Sequence, residues 1–198
     1  MMMTHTRQLV DREQWIVSRA RGASVLHIGC LGADRKAVLH RQIKGVARSC
    51  VGIDLAPPEN EGYIAADAQN FELQSAFDLI FAGEIIEHLW DHRGFFTSCF
   101  RHLNPGGSLV ISTPNAYSAL ALLNAVVRKT VPNDSAHVVL FDATTLGNLV
   151  RNYCAASRVT LSFYEERAVR QTLAYGFQRT LGRIVPKLAR GLLVEIVK

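Results

Sequence analysis

The chain has 198 residues, 48% of them hydrophobic, and a formal net charge of +5. That length and composition exclude a disordered chain and leave room for one domain with a full core, spanning 1–198. The modest positive charge permits an anionic ligand but does not demand nucleic acid, and the basic residues are scattered with no base-reading motif among them. The four cysteines, Cys30, Cys50, Cys99 and Cys154, are far apart with no C-x-x-C pair. Neither a zinc knuckle nor a disulfide framework is therefore expected, and a reducing cytosol is the simpler setting. The first residues show no apolar leader, and the longest apolar stretch, 119–127, is too short to span a bilayer. A soluble cytoplasmic domain is expected.

In chain order, Leu9, Trp15 and Ile16 among polar neighbours predict an N-terminal helix over 5–21, ended at Arg21-Gly22. "ASVLHIG" reads as a buried strand entering a glycine turn. A helix through Val38, Leu39 and Ile43 follows, then strands "SCVGID", "YIAAD" and "FDLIFAG". The spacing predicts a helix from about Glu84 to Leu103, a turn at "NPGG" and a further strand, "SLVIST". A helix near 142–153, then "RVTLSFY" and the terminal "GLLVEIV", complete the chain, with a helical insertion at 167–190 between the last two strands. Strands alternating with helices imply a parallel sheet covered on both faces, an α/β three-layer sandwich.

In such sheets ligands bind beyond the carboxyl ends of the strands, near the point where strand order reverses. Small and polar residues gather at those ends: Gly29-Cys30-Leu31-Gly32, Asp54, Asp67, Gly83-Glu84 and Thr113-Pro114-Asn115. Gly29 and Gly32 allow a tight turn and close approach of backbone to ligand. Asp54 suits the two hydroxyls of a ribose, and equally a turn before Pro57-Pro58. A nicotinamide dehydrogenase would need G-x-G-x-x-G, which "GCLGADRKAV" lacks.

The segments "VLHIGC", "VGIDL", "AADAQNF", "FDLIFAGEIIEHL", "LNPGGSLVISTPN" and "HVVLFDATTL", taken in that order, resemble class I S-adenosylmethionine-dependent methyltransferases of the small-molecule, ubiquinone-pathway-like kind. The resemblance covers roughly 25–150. It implies a Rossmann-like, seven-stranded, mostly parallel sheet with an antiparallel last strand, and S-adenosyl-L-methionine as cofactor. Carried over, it gives Gly29, Cys30 and Gly32 to the methionine end and Asp54 with Leu55 to the ribose. Asp67 and Ala68 fall to the adenine, and Gly83 with Glu84 to the border between methionine and acceptor. The chain departs from the family at His27, where Asp is common, and at Leu31 and Ala33, where glycines are common. The implied activity is methyl transfer to a small molecule, most simply at a hydroxyl. The alternatives are N- or C-methylation, or a non-catalytic remnant that binds cofactor or a partner.

A hydroxyl acceptor must lose a proton, which a histidine or carboxylate can take. "GEIIEHL" (83–89) offers Glu84, Glu87 and His88 at helical spacing on one face, and His137 follows the fifth strand in a segment that often meets the acceptor in this family. Glu84, His88 and His137 are the catalytic candidates. His92 and His102 are read as solvated surface. The E-x-x-E-H set also resembles a magnesium site known among 2′-O-methyltransferases of small RNAs and ubiquinone-pathway enzymes. Many relatives carry it without metal, and a metal-free site is expected. In the 167–190 insertion Val169, Leu173, Phe177, Leu181, Ile184 and Leu188 form an apolar stripe. Packing on the domain or on a second subunit is expected of it, with peripheral contact to an anionic membrane as the alternative.

Overall fold

A computed structural model describes residues 3–31, 34–55, 63–127, 136–154, 156, 158–165 and 173–198. The strands are β1 (Met3–Asp11), β2 (Ser24–Ile28), β3 (Ser49–Asp54), β4 (Tyr63–Ala65), β5 (Phe77–Gly83), β6 (Leu103–Pro114), β7 (Arg158–Glu165) and β8 (Gly191–Val197). The helices are α1 (Arg12–Ala20), α2 (Asp34–Val46), α3 (His92–Arg101), α4 (Ala119–Val127), α5 (Ala143–Tyr153) and α6 (Leu173–Ile184). One eight-stranded sheet runs β1-β7-β8-β6-β5-β2-β3-β4, and every pairing is parallel except those of β8 with β6 and β7. The expected architecture is present with one strand more than expected.

That extra strand corrects the N-terminus. Residues 5–11 are not helical: β1 pairs in parallel with β7, and the helix begins only at Arg12. Asp11 sets the boundary, its side chain accepting the backbone N–H of Gln14 as a helix N-cap. Pairing with β1 also covers an edge of β7 that would otherwise present unpaired backbone groups.

Alternation along the strands divides the core in two. Leu26, Ile28, Ile80, Leu109 and Ile111 face α3 and α5 through Phe95, Phe96, Leu146 and Val150. Val25, Leu79, Phe81, Val110 and Leu193 face α1 and α2 through Ile16, Ala20, Leu39 and Ile43. The result is three layers. The chain passes from β2 outward to β3 and β4, then returns to place β5 on the other side of β2. The strand order therefore reverses between β2 and β5, the place where open α/β sheets form their ligand crevice at the carboxyl ends.

The segment after β5 corrects a second expectation. No continuous helix runs from Glu84 to Leu103. A single 3-10 turn, Ile86–His88, is followed by α3, which starts at His92 behind an Asp91 N-cap. Glu84 itself has φ 54°, in the left-handed region, where a side chain is strained. The chain must leave β5 sharply there, and the backbone N–H of Glu84 still donates to the Ser112 carbonyl of β6. Glu84 thus does not share a helical face with Glu87 and His88.

All four cysteines are free. Among the described residues no helix is long and apolar enough to cross a membrane.

Candidate functional site

The described cofactor candidates lie at the carboxyl ends of β2, β3, β4 and β5. Gly29 has φ 69°, and a Cβ there would overlap the Ile85 side chain that passes over it from the end of β5. Both the turn and the close approach require glycine. The Cys30 thiol is buried, lies 3.7 Å from the Ile53 carbonyl and is pushed up to about 12 by burial, so Cys30 contributes backbone rather than thiolate chemistry. Gly32 and Ala33 lie outside the described residues. Asp54, half-buried at the end of β3, accepts the Leu31 backbone N–H at 2.8 Å through Oδ2, which fixes the loop after β2 against the next strand. Leu55 beside it is exposed. Asp67 is exposed and closes a turn, its Oδ1 accepting the Gln69 backbone N–H at 2.9 Å, with Ala68 half-buried within that turn. Gly83 ends β5 and is buried.

His27, in place of the usual acid, is buried in the sheet. Its ring stacks on His40 at a centroid distance of 5.3 Å with the two Nδ1 atoms 3.2 Å apart. One Nδ1 must donate and the other accept, so at least one of the two imidazoles is neutral. Burial first, then the proximity of His40 and the positive Lys36 and Arg12, hold His27 well below the ordinary histidine range.

On the other side of the crevice, Glu84 meets residues that no motif announced. Its Oε1 accepts from Arg12 Nη1 at 3.1 Å, Ser112 Oγ at 3.1 Å and Tyr164 Oη at 2.6 Å. The Arg12 guanidinium also lies over the Tyr164 ring at 5.1 Å, and Lys36 donates to the Glu84 carbonyl at 3.2 Å. Tyr164 reaches this point because its neighbour in the adjacent strand is Gly191, where a Cβ would overlap the phenol ring. These bonds offset the strained backbone at Glu84.

Glu87, His88 and His137 do come together. Each offers one ligand atom, and the three atoms lie within 4.8 Å of one another. The His88 and His137 rings meet edge to face at 4.7 Å. His88 Nδ1 lies 3.1 Å from the Ala136 carbonyl, which can only accept, so Nδ1 carries a proton and Nε2 is the free acceptor of the neutral ring. Glu87 is 1% exposed. Its Oε2 accepts from Thr113 Oγ1 at 2.9 Å, while the buried Oε1 has no hydrogen-bond partner. Burial first, and the Glu84 charge second, push its carboxyl up to about 8. The Glu87 carbonyl accepts the Val138 and Val139 N–H groups, which anchors the segment that carries His137. The spacing of one carboxylate and two imidazoles is one a divalent ion can occupy.

His92 and His102 are not the solvated surface residues expected. His102 is buried, accepting the Leu73 N–H at Nε2 and donating to the Ser98 carbonyl from Nδ1. His92, half-buried, donates to the Ile86 carbonyl and braces the 3-10 turn.

Residues 6–153 match the family model described as a methyltransferase domain. The ubiquinone biosynthesis O-methyltransferase of Thiobacillus denitrificans is 31% identical, over 59% of this chain and 55% of that protein. A SAM-dependent methyltransferase from Archaeoglobus fulgidus superposes with a TM-score of 0.60 at 17% identity, covering 94% of both chains. The N-methyltransferase NodS of Bradyrhizobium japonicum, in complex with S-adenosyl-L-homocysteine, gives 0.56 at 18% identity over 94% of this chain and 85% of that one. These structures share the fold. The chain spans about half the length of the curated relatives it matches.

Proposed function

This chain belongs to the methyltransferase domain family, and we propose that it transfers the methyl group of S-adenosylmethionine to a hydroxyl oxygen of a small-molecule acceptor. The observation that carries the choice of oxygen is the His88–His137 pair at the rim, with one imidazole nitrogen of His88 left free to accept a proton. In this reading Gly29, Cys30, Gly32 and Gly83 border the methionine, Asp54 and Leu55 the ribose, and Asp67 with Ala68 the adenine. The methyl carbon leaves sulfur as the acceptor oxygen bonds to it, and the hydroxyl proton passes to His88 or His137. S-adenosylhomocysteine and the methyl ether result. Most of the protein's contribution is alignment of the two reactants, with proton removal added by the histidines. Glu84 faces the acceptor from the end of β5. With three donors already on Oε1 it holds position and charge, while proton removal falls to the imidazoles.

The unpartnered buried Oε1 of Glu87 favours a second reading of the same site, in which Glu87, His88 and His137 hold a divalent ion. When bound, such an ion would polarise the acceptor oxygen as a Lewis acid. Incubation with methyl-labelled cofactor and pools of hydroxyl, amine and activated-carbon acceptors tests the main reading, which expects label in an ether. Label on nitrogen or carbon overturns the choice of oxygen, and failure to bind S-adenosylhomocysteine in calorimetry overturns the enzyme itself. Loss of turnover in EDTA with rescue by Mg²⁺ or Mn²⁺ selects the metal reading, whereas EDTA-insensitive turnover selects proton transfer alone.

A further inference from the structure

Helix α6 turns much of its apolar stripe outward. Among its described side chains the buried positions are Gln178 and Gly182, Leu181 is half-buried, and Leu173, Phe177 and Ile184 are exposed, Leu173 at 96%. A surface helix ordinarily does the reverse. The cause lies in a polar hub. Gln178 Nε2 donates to Glu165 Oε1 and to the Leu188 carbonyl, each at 2.8 Å, and its Oε1 accepts the Leu120 N–H of α4 at 2.6 Å. A Cβ at Gly182 would overlap that same Glu165 oxygen, so only glycine leaves room for the hub. Helix α6 is thus held to the sheet by buried polar bonds, and Leu173, Phe177 and Ile184 of its stripe stay exposed instead of packing on the domain as expected, while Leu181 and Leu188 are half-buried. Helix α4 packs against α6 and leaves Val126 and Val127 exposed, at 79% and 68%. Val169 lies outside the described residues.

Within the described residues of α4, α6 and the turn after it, the charges have one sign. Helix α4 has no charged residue, and α6 with the following 3-10 turn, Pro186–Leu188, carries Arg179, Arg183 and Lys187 with no carboxylate. All three cations are exposed.

We infer that α4 and α6 dock on an anionic lipid surface. Leu173, Phe177, Ile184, Val126 and Val127 enter the headgroup boundary, and Arg179, Arg183 and Lys187 meet lipid phosphates. A second copy of this chain fits less well, since a two-fold contact through one patch sets these cations against their own counterparts. The face lies at the catalytic rim, because Asn115 at the end of β6 donates from Nδ2 to the Lys187 and Ala189 carbonyls. If the proposed methyl transfer holds, a membrane-resident acceptor is within reach; the docking itself does not depend on that reading.

Flotation of the full chain with phosphatidylglycerol–phosphatidylcholine vesicles at low salt is expected to carry it into the vesicle fraction, and phosphatidylcholine vesicles alone are expected to leave it behind. The double variant Val126→Asp, Phe177→Asp should lose flotation, and Arg179→Gln or Arg183→Gln should each lower partitioning roughly fivefold. An unchanged thermal transition in these variants reports an intact fold. No flotation at low salt on the anionic vesicles overturns the inference, as does flotation that survives the double variant. A dimer in sedimentation that the double variant dissolves, without vesicle binding, gives the face to a second copy and overturns it equally.

Discussion

Tyr164 Oη and Glu84 Oε1 stand 2.6 Å apart although 80 positions separate them in the chain. The bond joins the end of β7 to the end of β5 across the two strands between them, β8 and β6. It places the acid of the "GEIIEHL" segment in a network with Arg12 and Ser112 rather than with Glu87 and His88.

Tyr164→Phe keeps the ring beneath Arg12 and removes this hydrogen bond. Bonds to charged groups are worth about 1.5–3 kcal/mol, and Glu84 is partly exposed, so a loss near the lower end, ~1–2 kcal/mol, is expected. Urea denaturation reads it directly. An unchanged midpoint would show that the bond adds nothing to the fold.

Asp54→Ala should weaken S-adenosylhomocysteine binding at least tenfold. In the proposed reading two charge-assisted bonds to a ribose would be lost, each worth ~1.5–3 kcal/mol, and the Leu31 loop loses its anchor as well. Calorimetry at constant salt is the measurement. Equal affinity in the two proteins reduces Asp54 to a loop support.

With an acceptor in hand, His137→Ala and His88→Gln should lower kcat by about 10²–10⁴, the usual range for a lost general base, with KM little changed. The acidic limb of the pH–rate profile should disappear in whichever variant lacks the base. A variant that keeps both rate and profile removes its histidine from the mechanism.

Glu87 and His27 give stability opposite dependences on pH. The folded Glu87 carboxyl lies at about 8 against an ordinary value of 4.5, so the folded state binds more protons across that window and stability falls as pH rises through it. Glu87→Gln should flatten this slope and gain stability at pH 8 relative to the parent. His27 is depressed, so below its ordinary 6.5 the unfolded state binds more protons and stability falls as pH drops. His27→Gln should reduce that acid sensitivity. Denaturation midpoints across pH 4.5–8.5 decide both, and a parallel shift of the whole curve in either variant contradicts the assignment.

The layered α/β fold and the place of the crevice were readable in the sequence because both follow from local pattern. Buried parallel strands read as apolar runs, such as "VLHI" and "FDLIFAG", and each ends in the small or acidic residues that a ligand-bearing rim needs. Gly29 was legible for the same reason, since a sharp turn after a strand leaves few other choices. Helical spacing misled at 84–103 because periodicity records which residues are apolar, and cannot show that the chain must bend at Glu84 to leave β5. The N-terminal strand was hidden because its pairing partner, β7, lies about 150 residues away, and local propensity carries no trace of a partner at that distance. The exposure of Leu173, Phe177 and Ile184 in α6 escaped the pattern for a related reason: periodicity names an apolar face, but the buried Gln178–Glu165 bond decides which way that face turns. The sequence by itself therefore determined the layers, the rim and the family's motif positions, all set by short-range periodicity and turn chemistry. Only the tertiary structure decided that Glu84 joins Arg12 and Tyr164 while Glu87 joins His88 and His137, because those pairings depend on long-range strand order and on which side chains a single glycine lets pass.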